Sequence, residues 1–212
     1  MSSIGVIDYG MGNLHSLAKA LERVAGNLRV EVSPDPVKLA KCNRLVLPGV
    51  GGVRACMNEL RRLELAQFVV EAARKVPLLG VCLGMQVLFE RSQENEGVDA
   101  LGLLPGSVVR FPDPPPAAPP PRLKVPHVGW NRVVQTQPHP LWEAVADGSW
   151  FYFVHSYYAA PRLPRHTLGE AEYGRRFAAV IGRDNVVGVQ FHPEKSQAAG
   201  LQLLANFVAW QP

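Results

Sequence analysis

A cysteine between two glycines, in Gly80-Val81-Cys82-Leu83-Gly84, is the feature of this sequence best suited to chemistry. It directly follows the apolar run 76–79. A glycine-X-nucleophile-X-glycine sequence between a strand and a helix is typical of a nucleophile elbow, which holds a side chain at the edge of a sheet. A helix N-terminus and a neighbouring imidazole both favour ionisation of a thiol. Cys82 is therefore predicted to be a nucleophile, whereas Cys42 and Cys56 are expected to be inert buried thiols.

A base for this thiol is predicted in His192-Pro193-Glu194, which follows a second apolar run at 186–190. In an extended segment, residues two positions apart point the same way, so His192 and Glu194 are expected on one line. Alone, this tripeptide also fits a turn in which the histidine caps the strand. Together with the elbow, it supplies the base and the base-orienting carboxylate of a catalytic triad.

The glycine-rich segment Pro48-Gly49-Val50-Gly51-Gly52 follows another predicted strand. Such a segment often only reverses the chain. As part of a site, its backbone N–H groups and that of Leu83 would hold a developing oxyanion, where each donor contributes on the order of 3–4 kcal/mol. Gly49, Cys82 and His192 all come at predicted carboxyl ends of strands, where open α/β sheets place their sites.

The elements that position these residues alternate in the first half of the chain. Strands are predicted at 4–8, 28–32, 44–47 and 77–81, with helices at 13–24, 53–75 (one or a pair) and 84–91. This pattern predicts an α/β fold with an open, mostly parallel twisted sheet and helices on both faces. The second half adds strand-like segments, which indicate an additional antiparallel or mixed region, at 108–111, 125–134, 150–154, 168–173, 178–181 and 186–190. A C-terminal helix is predicted at 197–210.

Length and composition favour one ordinary globular domain, 1–212, of 47% hydrophobic and 19% charged residues. Residues 112–121, seven of them proline, are expected to form a stiff polyproline II surface loop.

An odd cysteine count without a leader or a long apolar run predicts a cytoplasmic protein without membrane contact. A net charge of +4 without a basic stripe argues against nucleic-acid binding. The histidines lack metal-ligand spacing, and His15 breaks the dinucleotide fingerprint at Gly10-Met11-Gly12, so no metal or cofactor is expected.

The motifs together resemble class I glutamine amidotransferase domains, in which a Cys-His-Glu triad releases ammonia from the side-chain amide of glutamine. The resemblance covers nearly the whole chain and is carried by these segments: Asp8-Tyr9-Gly10-Met11-Gly12-Asn13, Pro48-Gly49-Val50-Gly51, Gly80-Val81-Cys82-Leu83-Gly84-Met85-Gln86, Pro126-His127-Val128-Gly129-Trp130-Asn131, Tyr152-Phe153-Val154-His155-Ser156-Tyr157 and Gln190-Phe191-His192-Pro193-Glu194-Lys195-Ser196.

The resemblance implies roles for further residues. Val50 and Gly51 would supply the oxyanion side. The glutamine pocket would be lined by Gly49, Gln86, Glu94, His155, Ser156 and Tyr157. The finer pattern is similar to a subunit that passes its ammonia to a (β/α)8-barrel cyclase in histidine biosynthesis, with Asn13, Tyr152 and Lys195 near that interface. Such glutaminases are largely silent until the cyclase binds its nucleotide.

Two other interpretations stay open at this point. One is another ammonia-supplying glutaminase of the same triad class, such as that of pyridoxal phosphate synthesis, which Pro48-Gly49-Val50-Gly51 and 127–131 disfavour. The other is a non-catalytic, flavodoxin-like interaction subunit, against which the intact Cys82, His192 and Glu194 argue.

Overall fold

The computed structural model describes residues 3–113 and 123–212 and contains a sheet that is parallel at its centre. Five neighbouring strands run in the order β2-β1-β3-β4-β13, and every pair among them is parallel. Their bounds are β1 Ser3–Ile7, β2 Arg29–Ser33, β3 Arg44–Leu47, β4 Leu78–Val81 and β13 Val186–Val189. The carboxyl ends of β3, β4 and β13 therefore meet at one edge of the sheet, as predicted.

The central strands are buried on both faces, which explains their continuous apolar sequence. In β3, Leu45 and Leu47 pack into one hydrophobic core and Val46 into the other. Neighbours in β4 divide in the same way, with Leu78 on one face and Leu79 on the opposite face. This alternation follows from the two-residue period of a strand.

Helices cover both faces of this parallel part. On one face lie α1, Leu14–Val24, and α6, Gln197–Ala209, which contribute Leu17, Leu21, Leu203 and Phe207 to the core. On the other lie α3, Val53–Arg62, and α4, Leu65–Ala72, separated at Glu64, whose φ is +59°. The short helices are α2, Pro36–Leu39, and α5, Leu83–Gln86.

Beyond β13 the sheet continues mainly with antiparallel pairs, through β12, β10, β7, β5 and β6. Among the described strands of this part, the pair β5 and β7 alone is parallel. A branch from β12 through β11 ends in the two-stranded ribbon of β8 and β9. The bounds are β5 Phe89–Ser92, β6 Val98–Asp99, β7 Leu104–Arg110, β8 His127–Gln135, β9 Ser149–His155, β10 Tyr157–Pro161, β11 Thr167–Glu172 and β12 Arg176–Arg183. The predicted fold class is confirmed.

Two local predictions were wrong or incomplete. The helix predicted at 84–91 ends at Gln86, and Phe89–Ser92 is a strand that pairs with β7. The short apolar stretch 87–89 suits helix or strand, and pairing with the neighbouring β7 decides between them. The strand β10 was missed because its sequence is short and ends in proline, although it holds β7 and β12 together.

Residues 112–121, predicted as polyproline II, lie outside the described residues from residue 114 onward. Across the two ranges that the structure describes, no helix combines the length and the apolar character needed to cross a bilayer.

Candidate active site

Cys82 lies on a sharp turn between β4 and α5, with φ at +55° and ψ at −111°. A non-glycine residue rarely has a positive φ, so this backbone is strained and must be held by its surroundings. A Cβ on Gly84 would lie 1.8 Å from the carbonyl oxygen of Leu47, and one on Gly80 would lie 2.7 Å from that of Gly84. Both flanking glycines are therefore required by the close backbone approach that forms the elbow.

His192 and Glu194 form a buried pair behind this turn. Glu194 Oε1 lies 2.9 Å from His192 Nδ1, and the two side chains are only 3% and 2% exposed. The backbone of His192 is held by Tyr152, whose carbonyl accepts its N–H at 2.9 Å, and by Ser196, whose hydroxyl donates to its carbonyl at 2.6 Å.

The extended geometry predicted for 192–194 is wrong in one respect. His192 is extended, but Pro193–Lys195 forms a single 3-10 turn, because proline suits the first position of such a turn. The turn folds the carboxylate of Glu194 back onto the ring of His192, so the predicted contact forms by a different route.

The electrostatics of His192 reflect its neighbours. Burial lowers its pKa, but the interactions of the ring with the neighbouring Cys82 and Glu194 outweigh burial and raise the pKa to about 9. Its Nε2 is buried and makes no hydrogen bond to the described residues. Since Nδ1 is engaged by Glu194, Nε2 is the ring atom left to exchange a proton with Cys82.

The turn at 49–51 packs directly against the elbow. A Cβ on Gly49 would lie 2.6 Å from the hydroxyl oxygen of Tyr9 and 2.9 Å from the backbone nitrogen of Gly84, and Gly51 has a φ of +88°. Leu83, predicted to offer its N–H to an oxyanion, donates it to the carbonyl of Gly49 at 3.3 Å. In this conformation that donor is occupied by the turn itself.

A cavity of about 330 Å³ opens beside Cys82. It is lined by Val50, Gly51, Cys82, Leu83, Gln86, Glu94, Pro126, Val154, His155, Ser156, Tyr157 and His192. Every residue predicted for the pocket is among them except Gly49. Pro126 and Val154 were not predicted, because an apolar residue in a strand or loop carries no signal of its own.

Two predicted pocket residues are fixed by hydrogen bonds. Glu94 accepts from the backbone N–H of Val53 at 2.7 Å, so one carboxylate oxygen caps α3. The amide nitrogen of Gln86 donates to the carbonyl of Tyr157 at 2.9 Å and to Gln190 at 3.0 Å. The pocket wall is thus preorganised rather than free to collapse.

A buried pair of histidines supports the opposite wall. His155 Nδ1 lies 2.8 Å from the carbonyl oxygen of Tyr157, to which only an N–H can bond, so its Nε2 accepts from His127 Nδ1 at 2.9 Å. Burial lowers the pKa of His155 to about 3 and that of His127 to about 4. Both rings are therefore neutral near pH 7. His127 was singled out only as part of a motif, because nothing local reveals that it meets His155.

The predicted interface residues form two groups, one after the carboxyl end of β1 and one near that of β13. The ammonium of Lys195 sits 5.9 Å from the ring centre of Tyr152, within cation–π range. Asn13 is the N-cap residue of α1 and follows the carboxyl end of β1.

A larger and more open hollow of about 940 Å³ lies elsewhere, between β10, β11 and β12. Its described lining contains neither cysteine nor histidine, so the smaller cavity is the one with reactive groups. In the same described ranges, no cluster of three or more histidine, cysteine or acidic residues is arranged to hold a metal ion.

Comparison with solved structures supports the fold. A crystal structure titled glutamine amidotransferase covers 99% of this chain and 100% of its own, with a TM-score of 0.72 at 16% identity. A chain of PurLQS from Thermotoga maritima covers 99% and 98%, with a TM-score of 0.71 at 17% identity. At such identities the likeness concerns the fold alone.

Sequence relatives are much closer. The imidazole glycerol phosphate synthase subunit HisH of Methylococcus capsulatus is 54% identical over 100% of this chain and 98% of its own. The proteins of the same name from Nitrosococcus oceani and Aromatoleum aromaticum are each 52% identical, over 99% and 100% of this chain. The model of the family Glutamine amidotransferase class-I matches residues 5–210. With this match over almost the whole sequence and a cysteine elbow facing a histidine–carboxylate pair, the chain belongs to the class-I glutamine amidotransferase family.

Proposed function

We propose that this chain is the glutaminase subunit of an imidazole glycerol phosphate synthase and hydrolyses glutamine to glutamate and ammonia. The observation that carries the proposal is the buried pair of His192 and Glu194 at 2.9 Å, on the cavity that also contains the elbow thiol of Cys82. The relatives named as HisH subunits, which are 54% and 52% identical over 100% of this chain, support the assignment to this synthase.

The chemistry follows from the positions of these groups. The thiolate of Cys82 attacks the carboxamide carbon of glutamine, and the carbonyl electrons move onto its oxygen. The imidazolium of His192 then donates its Nε2 proton to the leaving nitrogen, so ammonia departs and a thioester remains. Neutral His192 next accepts a proton from water, whose oxygen attacks the thioester and releases glutamate. Throughout, Glu194 holds Nδ1 and stabilises the charged ring.

The oxyanion is held by the turn at 49–51 after a rearrangement. The carbonyl of Gly49 and the N–H of Val50 belong to one peptide group. Rotating that group withdraws the carbonyl from Leu83 and turns the N–H of Val50 toward the cavity, which leaves two donors for the oxygen. This rotation changes ψ of Gly49 and φ of Val50, and Gly49 has no side chain to clash during the change. A glutaminase that is nearly silent without its partner is consistent with this occupied starting state.

The partner is a (β/α)8-barrel cyclase, to which the ammonia passes for synthesis of imidazole glycerol phosphate and aminoimidazole carboxamide ribotide in the cytoplasm. The β8–β9 ribbon presents an exposed apolar surface, here called the ribbon face, made of Val128, Trp130, Trp150 and Val154. These side chains are 37% to 56% exposed. Clustered exposed tryptophan and valine are typical of a protein interface. Covering the site also keeps ammonia from water, where it would be protonated.

The test is glutamine turnover by the purified chain with its cyclase and the cyclase nucleotide. Cys82→Ala should abolish hydrolysis and leave the circular dichroism spectrum unchanged, because only the nucleophile is removed. Cys42→Ala, which changes a buried thiol outside the cavity, is the matched control and should retain turnover. Turnover by Cys82→Ala would refute the mechanism.

The partner assignment has its own test. Hydrolysis should rise at least tenfold when the cyclase and its nucleotide are added, and the chain should capture the cyclase from lysate. Capture of a different synthase instead, such as that for pyridoxal phosphate, would keep the chemistry and overturn the partner.

A further inference from the structure

Gln190 is wholly buried beside the nucleophile, and the triad does not account for it. It follows β13, whose Val189 pairs with Val81 in the parallel ladder, so Gln190 and Cys82 are the next residues of adjacent strands. The backbone N–H of Cys82 donates to Val189 at 2.8 Å, which fixes the two strand ends against each other. The amide nitrogen of Gln190 lies 3.9 Å from the sulfur of Cys82.

The orientation of the Gln190 amide follows from its neighbours. The carbonyl of Tyr157 can only accept, so the group of Gln86 that faces it at 2.9 Å must be the NH₂. The same NH₂ lies 3.0 Å from Gln190 and needs an acceptor there, which places the oxygen of Gln190 toward Gln86. The NH₂ of Gln190 is then the end that faces the sulfur.

The carbonyl of Tyr157 is itself held, because it also accepts from His155 Nδ1 at 2.8 Å. The ring of His155 is held in turn by His127. Both rings are neutral, so this series of hydrogen bonds orients the two amides without adding a charge near the sulfur.

We propose that Gln190 is a further catalytic residue, an N–H donor that stabilises the thiolate of Cys82 through an amide whose orientation is set by Gln86. An N–H donor bonds an anionic sulfur more strongly than a neutral thiol, so it shifts ionisation toward the reactive form. This inference deepens the proposed function and rests on it for the role of Cys82. The thiolate of Cys82 is thus stabilised by two groups, the imidazolium of His192 and the amide N–H of Gln190.

The experiment measures alkylation of Cys82 by iodoacetamide, followed by mass spectrometry of its peptide in the full chain without glutamine. The titratable groups facing the sulfur are His192, with Glu194 behind it, Tyr9 with Cys56 beyond it, and Glu94 across the cavity. None of them is altered by the variants below.

Gln190→Met keeps the shape of the side chain but removes the donor. Alkylation at about pH 7 should fall by about tenfold, which is the effect of losing one hydrogen bond to a charged group. The matched control is Gln86→Met, which also breaks the bond between the two amides but leaves the Gln190 donor in place. Its rate should fall by less than about threefold, because the freed amide still faces the sulfur part of the time.

Equal losses in the two variants would overturn the proposal, since their shared bond would then explain both. An unchanged rate in Gln190→Met would also overturn it. If Gln190→Met fails to fold, Gln190→Glu retains the acceptor for Gln86 and sets a carboxylate oxygen against the sulfur. A wild-type alkylation rate in that variant refutes donation, whereas a loss larger than tenfold supports it.

Alkylation and turnover fail separately. A wild type that does not hydrolyse glutamine with its cyclase refutes the proposed function, whatever the alkylation shows. A wild type that does hydrolyse glutamine, with alkylation unchanged in Gln190→Met, refutes only the role of Gln190.

Discussion

Replacing Glu194 by glutamine tests the electrostatics of the site most directly. The change removes one negative charge 2.9 Å from His192 Nδ1 and keeps nearly the same shape. Because the two side chains are only 3% and 2% exposed, water screens this charge pair very little.

The magnitude follows from the pKa of His192. Burial lowers that pKa, yet Cys82 and Glu194 raise it from 6.5 to about 9. The net shift corresponds to about 3 kcal/mol in favour of the imidazolium. A hydrogen bond to a charged partner contributes about 1.5–3 kcal/mol, so Glu194→Gln should lower the pKa of His192 by about 1 to 2 units.

The sign of the pH dependence follows from the same shift. The pKa of His192 is higher in the folded chain than in the unfolded one, so its protonation stabilises the fold fully below about pH 6.5. That contribution is lost as the pH rises through about 9. The free energy of unfolding should therefore differ between wild type and Glu194→Gln near pH 6, and the difference should shrink near pH 10.

The assay is an NMR titration of the His192 ring in both proteins, with His192→Asn to assign the signal. Urea unfolding at the two pH values supplies the stability difference. The value of kcat for glutamine should fall about 10- to 100-fold, since the same free energy is lost from the imidazolium that forms during the reaction. A pKa of His192 that moves by less than about 0.3 units would refute the reasoning.

Three other changes test the interface, the elbow and a helix cap. Trp150→Asp should weaken cyclase binding at least about 30-fold in a titration, because it puts a charge into the ribbon face. The control is Val37→Asp, which changes a 66% exposed valine on α2. Equal losses of affinity in the two variants would argue against this interface. Gly84→Ala should lower the free energy of unfolding by about 3 kcal/mol or more, because its methyl meets the Leu47 carbonyl at 1.8 Å, and wild-type stability in urea would contradict that packing. Asp35→Ala removes the carboxylate that accepts from Val37 N–H at 2.8 Å and should lower the free energy of unfolding by about 1 kcal/mol in the same assay. An unchanged free energy of unfolding would contradict this role and show that water replaces the cap.

Much of the fold was predictable because its signals are local. Apolar runs such as 44–47 and 77–81 are continuous because both faces of a central parallel strand are buried, and each is followed by a helical pattern. The elbow was predictable for a similar reason. Backbone crowding at Cys82 leaves room only for glycine at 80 and 84, so a short stretch of consecutive residues indicates the elbow.

Other elements depended on partners distant in sequence. Phe89–Ser92 is a strand because β7 lies beside it, although the apolar residues 87–89 that lead into it equally suit a helix. The carboxylate of Glu194 meets His192 through a 3-10 turn rather than an extended segment, which a three-residue pattern does not distinguish.

The sequence by itself determined the kind of chemistry: a thiol on a strained turn, a histidine–carboxylate pair and the parallel sheet that brings them to one edge. Only the tertiary structure decided which buried polar groups meet there. It turned the amide of Gln190 toward the sulfur, joined His127 to His155, and let the carbonyl of Gly49 occupy the N–H of Leu83. The physical reason is that a hydrogen bond between distant residues depends on packing, and packing leaves no periodic signal in the chain.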